Sequence, residues 1–334
     1  MQQWQIVSNQ GIDALECVDS ESRPLAADEV RMKVHASSIN YRDLSTIRDP
    51  ESRALPYPRV PNSDGAGEVV ETGASVTGFS AGDRVASCFF QDWQDGPCST
   101  LAMNSALGGA LDGVLAEEVI LKARGIVALP NHLSDEEGST LPCAGLTAWN
   151  ALKEVAEIRP GQTVLLLGTG GVSIFALQFA VRLGARVIIS SSSEEKLERA
   201  RAMGASETIN YSRQPEWQEQ VLKLTGGQGA DAVVEVGGAG TLSRSVEACR
   251  VAGRIALIGV LTGGEINPTA IMRKSIRLQG VYVGSRRMFG EMNQAIEHFQ
   301  IKPVVDECFD FDDARSAYHA MAGAGHFGKL VIRT

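Results

Sequence analysis

The 334-residue chain is long enough for about two domains, and its 44% hydrophobic content supports genuine cores. A formal charge of −9 argues against nucleic acid or an anionic membrane as a partner, since both select clustered positive charge. No apolar run approaches the roughly 20 residues of a membrane span. Residues 1–5 lack the basic start of a secretory signal, and the cysteines at 17, 88, 98, 143, 249 and 308 form no disulfide-framework spacing. The expected setting is a reduced cytoplasm.

In chain order, residues 1–128 carry short apolar stretches at 31–34, 67–71, 84–87 and 119–122, separated by glycines, prolines and aspartates. That spacing predicts an all-β, barrel-like unit. Three segments stand out: Ala36-Ser37-Ser38-Ile39-Asn40-Tyr41-Arg42-Asp43; Pro58 to Val69 with Gly82-Asp83-Arg84-Val85; and Leu141-Pro142-Cys143-Ala144-Gly145-Leu146-Thr147-Ala148-Trp149.

Residues 163–171 then read Thr-Val-Leu-Leu-Leu-Gly-Thr-Gly-Gly, a doubly apolar strand ending in a glycine turn. Val172, Phe175, Ala176, Phe179, Ala180 and Leu183 follow at helical spacing, with Gly184 as a stop. Strand, glycine turn and helix N-terminus together hold a diphosphate, because free N–H groups and the helix dipole favour anions. The predicted contacts are Gly168, Thr169, Gly170, Gly171 and Val172. Ser173 stands where the third glycine of G-x-G-x-x-G belongs, so the helix must pack there around a hydroxymethyl group. Further strands are predicted over 186–190, 207–211, 232–236, 255–259 and 276–283, with helices over 194–203, 217–224 and 242–250. This alternation gives a doubly wound parallel sheet. A last amphipathic helix is expected around 292–299.

These motifs, with the closing His326-Phe327-Gly328-Lys329-Leu330-Val331, resemble the medium-chain dehydrogenase/reductase superfamily over essentially the whole chain. Within it they are most similar to the zinc-independent, quinone oxidoreductase-like branch. The resemblance implies a Rossmann sheet inserted in a GroES-like β-barrel catalytic domain, with 1–128 as the first part of the catalytic domain, 129–287 as the dinucleotide-binding domain and 288–334 returning to the barrel.

Zinc-dependent relatives carry catalytic ligands at the positions of Asn40, Ser63 and Cys143, with a Glu at that of Asp64. Asn and Ser are poor zinc ligands and one thiolate cannot hold the ion, so no metal is expected. Only Cys88 and Cys98 lie where a structural zinc needs four cysteines. Cys143 reads as a small buried residue or a reactive thiol. Without a Lewis acid, reduction of a conjugated acceptor is easier than oxidation of an alcohol, because the enolate or hydroquinone anion needs only hydrogen-bond donors and a proton. By family position Asn40 and Tyr41 are the catalytic candidates. Asn40 can donate to a carbonyl oxygen or a cofactor ribose, and Tyr41 can donate a phenolic proton. The alternative is that Asn40 fixes its loop and Tyr41 packs on the barrel. Arg42 and Asp43 read equally as an ion pair or a substrate contact.

The second nucleotide strand ends Ile188-Ile189-Ser190-Ser191-Ser192-Ser193, with no carboxylate at its tip to take ribose hydroxyls and repel a 2′-phosphate. Ser191, Ser192 and Lys196 suit that phosphate, and Ser192-x-x-Glu195 also reads as a capping box. Tyr211 is carried over from similar reductases as a further phosphate contact. NADP(H) is the expected cofactor. Thr147, Gly237, Gly259, Val260, Val283, Gly284 and Ser285 are expected along it, and Lys329 near a phosphate. The expected activity is NADPH-dependent hydride transfer to a quinone or α,β-unsaturated carbonyl as the small-molecule acceptor. An alcohol or aldehyde dehydrogenase, and an NADPH-binding structural or sensing protein, are the alternatives. The acceptor pocket is expected over residues 88–111, apolar through Phe89, Phe90 and Trp93. An apolar strand at 276–283 left at the sheet edge invites association, and since similar reductases pair this strand across a two-fold axis, the resemblance implies a homodimer with Val281 and Val283 in its interface.

Overall fold

The computed structural model describes residues 1–334. β1 (Gln2–Ile6) and β2 (Leu15–Asp19) form a small antiparallel sheet, and β3 (Glu29–Ile39), β4 (Asp64–Thr72), β5 (Arg84–Ser87), β6 (Glu118–Lys122) and β7 (Ile126–Ala128) open a larger one. Along β3, Val30, Met32, Val34 and Ala36 turn inward in alternation, as a half-buried strand requires. Each large apolar side chain so buried contributes roughly 1.5–3 kcal/mol. From Ala36 to Ile39 every residue is buried, because the helices Asp135–Ser139 and Ala314–Gly323 pack against β3.

The next strands are β8 (Thr163–Leu167), β9 (Arg186–Ser191), β10 (Glu207–Asn210), β11 (Ala230–Glu235), β12 (Cys249–Leu257) and β13 (Arg277–Gly280). They pair in parallel in the order β10-β9-β8-β11-β12-β13, around a core that includes Leu165, Ile188, Ile209, Val233 and Ile255. The strand order reverses between β8 and β11, the switch point at whose carboxyl ends such sheets hold ligands. The helix expected over 242–250 runs Ala239–Ala248, because the Lys274 ammonium binds the carbonyls of Val246, Glu247 and Cys249 and closes its C-terminus. β13 is shorter than the expected 276–283, ending at Gly280, and Val283 at φ 57° lies outside any extended run.

The chain then gives the helix Arg286–Phe299, β14 (Val305–Asp310), the helix Ala314–Gly323 and β15 (Lys329–Arg333). β15 pairs antiparallel with β3 and parallel with β14, completing the order β14-β15-β3-β4-β5-β7, with β6 also on β3. Two compact units result: Met1–Leu146 with Val283–Thr334, and Thr147–Tyr282. The first junction falls after 128/129 because Asp135 is held by His35 (2.8 Å) and Arg84 (2.6 Å) of the barrel strands. The second precedes 287/288, since the Arg286 and Arg287 amides donate to the Trp93 and Gln94 carbonyls. No helix is long and apolar enough to cross a membrane.

Candidate active site

In the first unit, three neighbouring strands bring a polar cluster together. Ser38 pairs with Asp64 and Ile39 with Leu330, so the ends of β4, β3 and β15 set Asp64, Asn40 and Lys329 side by side. Asn40 precedes the helix Tyr41–Arg48, and its backbone N–H donates to Asp43 Oδ2 at 2.8 Å. The Lys329 ammonium, 3% exposed, donates to the Ile39 carbonyl (2.6 Å) and to Asn40 Oδ1 (2.5 Å). Asn40 is 8% exposed; its Nδ2 is sealed from water with no partner at ordinary hydrogen-bond distance, and the Asp64 carboxyl is the acceptor it faces. Asp64 accepts from the Ser63 hydroxyl (2.6 Å), the Cys143 amide (3.1 Å) and, at the long limit, the Ser38 hydroxyl (3.4 Å). Burial pushes the Asp64 carboxyl up, Asp43 adds to this, and Lys329 opposes it. Burial pushes the Lys329 ammonium down against the pull of Asp64, Cys143 and Asp43.

Lys329, expected at a phosphate, is thus bonded inside the barrel unit; a lysine on a strand end reaches whatever acceptor its sheet neighbour offers, here Ile39 and Asn40. Tyr41 is 41% exposed and is no core packing residue. Arg42 resolves as structural: it pairs with Asp43 (3.0 Å), donates to the Gly108 carbonyl (3.1 Å) and lies over the Phe89 ring. Phe89, Phe90 and Trp93, expected to line an acceptor pocket, are buried with Phe90 packed on both of the others. Cys143 is half-buried, and burial with Asp64 nearby raises its thiol pKa, which disfavours the thiolate. These donors do not fit zinc. Asn40 Oδ1 faces an ammonium, the Ser63 hydroxyl is donated to Asp64, and no group of three His, Cys, Asp or Glu side chains is arranged to hold a metal ion.

In the second unit, Gly168 turns at φ 70° and the helix Gly171–Arg182 begins without a side-chain cap, leaving its first N–H groups available. A Cβ built on Gly168 or Gly170 meets nothing within 4 Å, so the turn has an open face that a diphosphate can approach. Ser173 fits the third-glycine position because its hydroxyl donates to the Leu167 carbonyl at 2.6 Å. Thr147 and Thr169 are buried, and Val172 is half-buried. At the tip of β9, Ser191 is buried and Ser192 exposed, while the helix Glu194–Ala202 is capped by Ser193, not Ser192, through the Lys196 amide. The shift frees the Ser192 hydroxyl. Glu194 turns away to Asn210, Arg201 and Arg213. The Tyr211 amide donates to the Ser191 carbonyl (3.1 Å), setting its exposed ring beside the strand tip, and Lys196 is half-buried in the same helix.

Glu235, at the end of β11, is a buried carboxyl beside the candidate site that the sequence did not disclose. Its buried carboxyl accepts from the Gly237 and Gly238 amides (2.7 and 3.1 Å) and from the hydroxyls of Thr241 (2.6 Å) and Ser245. It thereby shapes the turn carrying Gly237. Gly259 is required by close approach, since a Cβ there lies 2.1 Å from the Val236 carbonyl. Val260 beyond it is exposed. Val283, Gly284 and Ser285 belong to the first unit, and the Ser285 hydroxyl caps the helix Arg286–Phe299. Val281 and Val283, expected in a dimer interface, are buried within the chain; Arg277, Gln279, Gly280 and Tyr282 are the exposed residues of that edge.

Comparison with known proteins gives matches over both units. Residues 26–131 match the alcohol dehydrogenase GroES-like domain and residues 171–300 the zinc-binding dehydrogenase family. The second match contains none of positions 40, 63 and 143, where zinc ligands are needed. A zinc-type alcohol dehydrogenase-like protein of Schizosaccharomyces pombe is 42% identical, over 97% of this chain and 96% of its own. An acryloyl-coenzyme A reductase of Metallosphaera sedula is 30% identical, over 97% of each. The crystal structure of a putative alcohol dehydrogenase from Sinorhizobium meliloti 1021 superimposes with TM-score 0.92 at 40% identity, covering 100% of this chain and 98% of that one.

Proposed function

The chain belongs to the medium-chain dehydrogenase/reductase superfamily and is an oxidoreductase of that group, and from this premise we propose that it is a zinc-independent reductase using NADPH to reduce quinones or α,β-unsaturated carbonyl compounds. The observation that carries the reading is the open glycine turn at Gly168–Gly171 running into an uncapped helix N-terminus, in a chain whose side chains at 40, 63 and 143 do not fit zinc. Without a metal-ligand set, negative charge developing on the acceptor oxygen is met by hydrogen-bond donors, for which Asn40 and the exposed Tyr41 are the candidates. The nicotinamide, when bound, supplies the hydride. The Gly168–Gly171 turn and the uncapped helix N-terminus hold its diphosphate, and Asn40 holds the carbonyl oxygen as conjugate reduction turns it toward an enolate or hydroquinone anion. The resemblance to an acryloyl-coenzyme A reductase supports an acceptor with a double bond conjugated to a carbonyl.

Turnover with NADPH and NADH against quinones, enones, saturated aldehydes and primary alcohols tests the reading, with zinc measured in the same preparation. Conjugated acceptors are expected to be fastest and zinc well below one per chain. Primary alcohols as best substrates, or stoichiometric zinc required for activity, overturn it.

The cofactor preference rests on Ser191, Ser192, Lys196 and Tyr211 gathered at a strand tip that bears no carboxylate. Lys196→Ala is expected to weaken NADPH by about 1.5–3 kcal/mol, one charge-assisted hydrogen bond, and to leave NADH nearly unchanged. Titration of each cofactor by fluorescence decides it: equal weakening of both makes Lys196 a support of its helix and not a phosphate contact.

A further inference from the structure

A cavity of about 250 Å³ opens at the amino ends of β8, β11, β12 and β13, inside the unit Thr147–Tyr282. It lies at the opposite end of the sheet from the carboxyl ends where the glycine turn sits. Four arginines line it: Arg159 ahead of β8, Arg250 and Arg254 on β12, and Arg277 on β13. Its two carboxylates, Asp231 and Glu157, are already engaged. Asp231 accepts from the Arg250 guanidinium (2.6 Å) and the Thr163 amide (2.8 Å), and Glu157 accepts from Arg254 (2.9 Å). The Arg159 and Arg277 guanidiniums make no hydrogen bond and no ion pair. Both face Glu157, whose carboxyl is held below the ordinary carboxylate range first by the Arg254 hydrogen bond and further by these two charges.

Such an arrangement is unfavourable without an anion. Arg254 and Arg277 are register partners on adjacent strands, so two like charges leave one face of the sheet side by side. The wall also holds two residues in the left-handed region that side chains disfavour, Glu157 at φ 46° and Ala252 at φ 57°. A chain of net charge −9 thus collects surplus positive charge and strained backbone in one concavity. The volume falls below the roughly 300–1,000 Å³ of pockets for drug-sized molecules, which suits a compact ion. Guanidiniums grip phosphate oxygens in pairs, and one phosphate group carries about two negative charges, enough for the two uncommitted arginines.

We propose that this cavity is a second anion site, separate from the cofactor turn, in which Arg159 and Arg277 hold a small phosphate-bearing molecule. The anion ties the loop before β8 to the edge strand β13 and stabilises the unit, whichever acceptor the protein reduces.

Titration calorimetry of the full chain with inorganic pyrophosphate reads the site, at fixed ionic strength and with NADPH saturating so that the glycine turn is filled. The native chain is expected to bind it with a Kd below about 1 mM, and the double variant Arg159→Gln, Arg277→Gln at least about tenfold more weakly. Both side chains are exposed, so the variant is expected to fold and to keep native turnover and NADPH affinity. Thermal unfolding in phosphate-free, low-salt buffer gives a second readout. Arg277→Gln alone is expected to keep or raise the native Tm, because it removes one of two opposed like charges. The Tm gain that pyrophosphate gives the native chain is expected to disappear in the double variant. A Tm loss above about 3 °C in Arg277→Gln without anion makes that arginine a structural partner of Glu157 and overturns the proposal. So do an absence of saturable binding, equal binding in native and double variant, and a response that chloride reproduces at the same ionic strength. Weaker NADPH binding in the double variant assigns the arginines to the cofactor and overturns it too.

Discussion

Replacing Asn40 by alanine is expected to lower turnover of a quinone or enone by about 10²–10³-fold, the effect of removing one preorganised donor from a developing oxyanion. NADPH affinity is expected to hold, because the glycine turn and the strand tip that favour the cofactor lie in the other unit. The fold is expected to hold as well. Helix Tyr41–Arg48 loses the Asn40 half of its capping box but keeps the hydrogen bond from the residue 40 backbone to Asp43. A single-turnover measurement with saturating NADPH separates chemistry from product release. If the alanine variant keeps the native single-turnover rate, the oxyanion lies elsewhere and the site assignment fails.

Glu235→Ala is expected to have the largest effect on stability, about 3–4 kcal/mol. It strands two backbone amides and two hydroxyls at the end of β11. Each unsatisfied buried donor costs about 1–3 kcal/mol, and shared relaxation keeps the total below the simple sum. Because the same carboxyl shapes the Gly237–Gly238 turn at the carboxyl end of the sheet, cofactor affinity is expected to fall in parallel. Urea unfolding followed by circular dichroism measures the first effect. A loss under 1 kcal/mol, with NADPH binding intact, removes Glu235 from any structural role in the site.

The Rossmann half was legible because its signals are local. Apolar runs such as 163–167, glycine stops and helical stripes each report on a neighbourhood of a dozen residues, and the parallel order follows from their alternation. Boundaries were less legible where a distant side chain decides them, as Lys274 does for the helix Ala239–Ala248. Of the candidate site, Asn40 was placed by its motif, and Lys329 by the closing motif but at a phosphate, because nothing within a dozen residues shows that its strand pairs with β3, 289 positions from Asn40. Glu235 was missed for the complementary reason: an acidic residue at a strand end looks solvated until the amides and hydroxyls that fold back onto it are seen. Ser192 and Ser193 illustrate a smaller limit, since adjacent serines compete for one cap and only the backbone path selects between them.

The pairing of β15 with β3 has a consequence for how the protein comes into being. Thr147–Tyr282 is a continuous stretch of chain and can fold on the ribosome as soon as it emerges, since domains generally form as units during synthesis. The barrel sheet cannot finish then. β3 must wait, with Ala36 to Ile39 unpaired on one side, until β15 is synthesised, and an open strand edge is a template for association with other chains. The strand that seals that edge is also the one that carries Lys329 to Asn40. Nascent chains and chains clipped ahead of β15 therefore lack the ammonium that holds the Asn40 side chain, and the Lys329–Asn40 pair is assembled only in molecules whose sheet has closed.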